Sequence, residues 1–201
     1  MAKHRAIWDR EVKKANKIAH RLLEDKRFVA GWRLLLLPFF LPQYIGYRRR
    51  LRLTRKNILF TKKLALAAAK NLRLGKERAR ELQKIDTKTR QILDKHTKGL
   101  YTEEVRQKQF AEIECLIDFY SDLLNSDQKN YASMVISKFP SKEKYLAFLY
   151  ALQKTEAAVI RASIITVRRG TKRERRIWLE NLKNATKEVR KAEADDIYSN
   201  H

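Results

Sequence analysis

The sequence predicts an all-α protein. Five glycines and three prolines in 201 residues leave few breaks, β-branched runs are scarce, and apolar residues return every three or four positions along most of the chain. Charge then divides it. Residues 1–100 hold 28 basic and 8 acidic side chains, residues 101–201 hold 18 and 15, and the net charge is +23. The expected organisation is a set of basic amphipathic helices over 1–100, with a proline-broken apolar hairpin as attachment segment at 28–47, followed by a C-terminal helical bundle over 101–201. Crowding like charge opposes folding unless an anionic partner offsets it, which points the basic half toward nucleic acid or a membrane.

The first helix is expected from Lys3 to Lys26. Trp8, Val12, Ala15, Ile18, Ala19 and Leu22 form its apolar stripe, opposite a basic face. Next comes an uncharged run, Leu34 to Tyr47, reading LLLLPFFLPQYIGY. Pro38 and Pro42 should break it, because proline lacks the backbone donor and clashes with the preceding turn. Helix resumes at Arg48 and continues through LALAAAKNL to Leu74, with Gly75 as cap or interruption. Residues 76–98 read as a solvated helix with a narrow stripe of Leu82, Ile85, Ile92 and Leu93. Asp86 with Arg90 and Asp94 with Lys98 support it at four-residue spacing, and Gly99 stops it.

In the second half, Thr102 should cap a helix whose stripe is Phe110, Ile113, Leu116, Ile117, Tyr120 and Leu124. Ser126 should open a short helix containing Tyr131, Met134 and Val135. Ser141, after Pro140, should start a helix that reaches Arg169. Residues 145–167 carry only Lys154, Glu156 and Arg161 as charges, so this helix is expected at the buried centre of the bundle. Thr171 and Glu174 form a capping box for a last helix through Trp178 and Leu182.

Between Asp25 and Glu77 no carboxylate interrupts 51 residues, of which 14 are Lys or Arg. A single membrane span does not fit the apolar run inside this tract. Fourteen helical residues reach about 21 Å against a hydrocarbon core of roughly 30 Å, and basic flanks on both sides ask for the same face. A re-entrant or in-plane hairpin bent at the prolines meets both conditions. In it Phe28, Trp32, Leu34, Leu35, Leu36, Leu37, Phe39, Phe40, Leu41, Tyr44 and Tyr47 enter one leaflet or its interface. Arg33, Arg48, Arg49, Arg50, Arg52, Arg55, Lys56, Lys62 and Lys63 then meet lipid phosphates, at roughly 1 kcal/mol per basic residue near an anionic surface. The alternative is that residues 34–47 pack as internal core, as apolar runs of roughly 10–14 residues commonly do. The basic tract would then serve RNA or a ribosomal surface, although no zinc-finger spacing, helix-turn-helix or RNP-type motif accompanies it.

The chain offers little to catalysis. Cys115 is the sole cysteine, which excludes an internal disulfide and a cysteine-built zinc site. His4, His20, His96 and His201 are scattered without metal-ligand spacing, and no phosphate loop, G-x-S-x-G or dinucleotide fingerprint occurs. Glu114, Asp118 and Asp122 form an acidic ridge that either holds a hard cation or, more simply, docks on the basic half or stays solvated. No catalytic residue, metal or cofactor is assigned. The N-terminus lacks an apolar signal region, so the expectation is an intracellular protein at the cytoplasmic face of a membrane, or else free in the cytoplasm. Its expected role is non-enzymatic: recruiting or scaffolding a protein partner on anionic lipid, with RNA or ribosome binding as the alternative.

Overall fold

The computed structural model describes residues 2–24, 37–95, 101–166 and 171–199, which form seven helices and no strand. These are α1 (Ala2–Glu24), α2 (Leu37–Arg73), α3 (Arg78–Lys95), α4 (Glu103–Asn125), α5 (Tyr131–Lys138), α6 (Lys142–Thr166) and α7 (Lys172–Ser199). Helices α1, α2, α4, α6 and α7 pack side by side in that order, and α7 returns to α1 to close a ring. Outside the ring, α3 lies against α2 and α4, while α5 touches α4, α1 and α7 and shuts one end.

Apolar spacing explains the ring. On α1 the buried positions are Ile7, Glu11, Ala15, Ile18, Ala19 and Leu22, a stripe of period three to four with one carboxylate in it. α4 is the most enclosed helix: Ile113, Leu116, Ile117, Tyr120 and Leu123 are at most 1 % exposed. Each such side chain contributes roughly 1.5–3 kcal/mol by leaving water. Phe119 of α4 stacks near Phe148 of α6, ring centres 4.6 Å apart, and Phe139 beside α5 joins them. The expectation that α6 is the buried centre is corrected. α6 buries Tyr145, Leu149 and Leu152 but exposes Tyr150, and its outward side also carries Ala147, Ala151 and Lys154. Small and amphipathic residues tolerate water on that face, so α4 takes the centre instead.

The ends of the helices follow local chemistry. Thr102 caps α4 by accepting from the Val105 amide at 3.3 Å, and Ser141 accepts from the Lys144 amide at 3.4 Å. α7 begins directly after Thr171. Ser126 does not open α5; it ends α4, its amide bonding the Asp122 carbonyl at 3.0 Å. Asn130 caps α5 instead, accepting from Ser133 at 2.8 Å, a cap chemically as good as serine. The ion pair Asp86–Arg90 forms at 2.8 Å. Arg106 of α4 bonds Asp86, and Arg78 bonds Asp118, fastening α3 to α4.

The prolines correct a further expectation. α2 runs as one helix from Leu37 to Arg73, so Pro38 and Pro42 do not interrupt it. Pro38 occupies the first turn, where amides have no helical partner anyway. Pro42, one turn later, removes a single bond. Residues 25–36, which include Phe28, Trp32, Arg33, Leu34, Leu35 and Leu36, lie outside the described residues.

Gly75 ends α2 with φ at +81°. Its amide bonds the Leu72 carbonyl at 2.9 Å and the Lys76 amide bonds Asn71 at 3.1 Å, the paired pattern of a left-handed helix stop. A Cβ there would meet nothing within 4 Å. Gly75→Ala is therefore expected to cost only backbone strain, about 1 kcal/mol, read as a lower midpoint in urea unfolding with an unchanged m-value.

Candidate functional site

Every ring helix turns at least one charged side chain toward the others: Glu11 and Lys14 from α1, Lys62 from α2, Glu112 from α4, Glu156 from α6, and Arg190 and Glu193 from α7. Lys62 Nζ lies 3.0 Å from Glu156 Oε1, and an Arg190 guanidinium nitrogen lies 2.8 Å from the same oxygen. Lys14 Nζ bridges Glu11 Oε1 at 2.6 Å and Glu193 Oε1 at 3.3 Å, while Arg10 Nε reaches Glu193 at 3.1 Å. Thr61 donates its hydroxyl to Glu112 at 2.6 Å. Tyr145 donates to Glu193 and pairs with Tyr131, both at 3.4 Å, on the side closed by α5. Helical spacing sets the arrangement, since each charge replaces an apolar residue in a stripe that already faces inward.

Burial works against every one of these charges, and their partners decide the outcome. At Glu156 burial is overcome by Arg190 and Lys62, which pull its carboxyl down to about 2. Glu11 is likewise lowered against burial by Lys14 and Lys62. Lys14, Lys62 and Arg190 are all raised against burial by the facing carboxylates. Glu112 goes the other way: burial, reinforced by Glu156, pushes it up to about 7 despite Lys62 and the Thr61 bond. Glu11 Oε2 and Tyr120 OH are buried and meet no hydrogen-bond partner among the described residues.

Around this charged layer the described residues of the ring leave space. A cavity of about 660 Å³ runs along its interior. Glu11, Lys14, Lys62, Glu112, Glu156 and Arg190 line its middle; Leu116, Phe119, Leu149 and Leu152 line it on one side of them, and residues such as Ile18, Ile58, Val159, Leu182 and Trp178 on the other.

The basic residues singled out from sequence separate into two groups. Arg48, Arg49, Arg52, Arg55, Lys56 and Lys63 are exposed on α2, and Arg50 falls on the same helix with its side chain outside the described set. Lys62 is a correction: only 7 % exposed and paired with Glu156, it faces the bundle interior and does not reach a lipid phosphate. One residue is about 100° of helical turn, enough to send Lys62 inward and Lys63 outward. Leu37, Phe39, Phe40, Leu41, Tyr44 and Tyr47 belong to the first turns of α2, and their side chains lie outside the described set. Of the acidic ridge, Asp118 pairs with Arg78 of the basic half, as docking there requires, whereas Asp122 pairs with Lys138 of α5. Burial raises the Cys115 thiol, so it does not favour thiolate.

Sequence reading passed over Glu11, Glu112, Glu156 and Arg190 as a group. The available signal was a lone charge inside an apolar stripe, as Glu11 stands between Ile7 and Ala15. Glu156→Gln leaves Lys62 and Arg190 without their shared carboxylate and is expected to cost about 3–5 kcal/mol in equilibrium unfolding. The pH dependence of stability has two opposed parts. Glu112 binds its proton more tightly when folded, so its contribution is full below its ordinary value of 4.5 and is lost as pH rises through about 7. Glu156 contributes above 4.5 and loses that contribution as pH falls toward about 2. Thermal scans should show Glu112→Gln removing the decline between pH 5 and 8, by about several degrees, while leaving the acid limb in place. The chain matches no protein-family model, no curated protein and no solved structure.

Proposed function

We propose that the protein is a non-enzymatic module that attaches to anionic membrane surfaces through the exposed ridge of α2 and recruits or scaffolds a protein partner there. One observation carries this. Arg49, Arg52, Lys56, Lys63 and Lys70 are exposed along one side of α2 at intervals of three, four and seven residues, and no carboxylate pairs with any of them among the described residues. Cations without a carboxylate partner on one face of a helix present a row of anion sites one or two turns, about 5–11 Å, apart. Several such residues, at roughly 1 kcal/mol each near an anionic surface, give appreciable attraction. The same helix begins with Leu37, Phe39, Phe40 and Leu41, which supplies apolar sequence next to the cations. No helix among the described residues is long and apolar enough to cross a membrane, so the proposal concerns attachment to a surface, on the cytoplasmic side. RNA is the rival partner; among the residues whose side chains are described, the exposed aromatic residues suited to base stacking, Tyr150 and Trp178, lie on α6 and α7.

The test is flotation of nuclease-treated protein with vesicles of phosphatidylcholine, with and without phosphatidylserine. The wild type should float only with the anionic vesicles. The triple variant Arg49→Gln, Arg52→Gln, Lys56→Gln should lose more than about tenfold in affinity and keep its helical circular dichroism. Equal binding to both vesicle types, or attachment that disappears with nuclease treatment, overturns the membrane reading.

A further inference from the structure

We propose that the outer face of α6 is a docking surface for an acidic amphipathic helix of a partner protein. The proposal rests on the recruiting part of the function above, while lipid attachment can fail without it.

α6 differs from its neighbours in what it leaves in water. Outward on α7 stand Arg173, Glu180, Lys183, Lys187 and Lys191, and outward on α4 stand Glu104, Lys108, Asp118 and Asp122, as a solvated face requires. From Ala147 to Arg161, α6 instead exposes Ala147, Tyr150, Ala151, Lys154 and Arg161, with Ala158 half-buried between the last two. Tyr150 is 62 % exposed. At about 100° per residue, Ala147, Tyr150, Lys154, Ala158 and Arg161 fall within some 80° of one another, in a stripe about 21 Å long. The distance between packed helices follows side-chain size, within about 8–10 Å. Alanines along the stripe therefore let a second helix approach closely, with Tyr150 as a large side chain to pack along it. The same alanines bring little apolar area to a lipid leaflet.

Charge then specifies the helix. Lys154 and Arg161 lie in the stripe two turns, or about 10.5 Å, apart. The Lys154 ammonium sits over the Tyr150 ring, 4.8 Å from its centre, and neither cation pairs with a carboxylate among the described residues. Glu156 of the same helix is turned inward to Lys62 and Arg190. Glu143, in line with the stripe, lies about 16 Å from Lys154 along the helix axis. Covering two cations strands them unless the covering surface brings counter-charges. A helix with carboxylates seven residues apart supplies one for each at the same two-turn spacing. A second copy of this chain would set +23 against +23, which like-charge repulsion opposes.

The probe is a synthetic helix with two glutamates seven residues apart on a side lined by alanine and leucine, titrated into the isotope-labelled full chain without vesicles. A peptide of the same composition in permuted order controls for overall charge. The ordered peptide should bind at least about tenfold tighter than the permuted one, with amide shifts centred on residues 147–161. The double variant Lys154→Glu, Arg161→Glu, both at exposed positions, should lower that affinity at least about tenfold. Equal binding of the two peptides, binding of neither, or shifts centred on α2 overturns the proposal on the wild type alone. Unchanged binding in the double variant also overturns it, as does failure of that variant to float with phosphatidylserine vesicles, which would make this face a lipid surface. Flotation of the wild type has no bearing on the peptide result, so the two proposals fail separately.

Discussion

A charge inside a helical bundle is tolerated only beside its counter-charge, and this constraint governs how the five ring helices sit. Glu156 meets Lys62 and Arg190 through one oxygen, so α2, α6 and α7 are fixed at one level along the ring axis. A slip of one turn, about 5.4 Å, would separate all three groups and leave each stranded in a medium that penalises it. Lys14, held between Glu11 and Glu193, does the same for α1 and α7. The apolar stripes supply most of the driving force for assembly, but a stripe of Leu, Ile and Ala permits several neighbouring registers. Paired charges permit one.

The same layer explains why the ring is not packed solid. Arg, Lys and Glu side chains bring their polar ends to the centre at one level, and the apolar residues above them must bridge a gap set by helices held apart at that level. Large aromatic residues fill the end closed by α5, where Phe119, Phe139, Phe148 and Tyr145 pack against one another. Toward the other end small residues, Ala15, Thr54, Asn57 and Ser163, stand among the larger Ile18, Ile58, Val159 and Leu182. Cavity and charge layer are thus two results of one choice of inward-facing residues.

Much of the fold is legible in the sequence because periodicity and end signals act locally. The stripes of α1 and α4, the Thr102 cap and the Gly75 stop each depend on residues within a turn or two. Ser126 and Asn130 mislead because either is a sound cap, and which one is used depends on where the α4 chain leaves the core. Pro42 misleads because its cost, one lost bond near a helix start, is smaller than its reputation in a helix interior. The interior site is hidden for a different reason. Glu11, Lys62, Glu112, Glu156 and Arg190 lie far apart in the chain, and a lone charge within an apolar stripe, as at Glu11, does not say which charge faces it. Only complementarity across five helices distinguishes them, and that is a property of the tertiary arrangement.

Internal neutralisation also shapes the exterior. Glu11, Glu112, Glu156 and Glu193 are spent on the core, and none is available to screen the surface. Because the interior layer is close to neutral, nearly all of the +23 charge is carried outside. α2 contributes no carboxylate at all between Leu37 and Arg73, so the excess is densest along it. Lys62 and Lys63 show the division in adjacent residues: the first is matched by a glutamate of the same chain, the second by nothing among the described residues. A helix built this way matches its inner cation with a carboxylate of the same chain, while the cations of its outer face meet no carboxylate among the described residues.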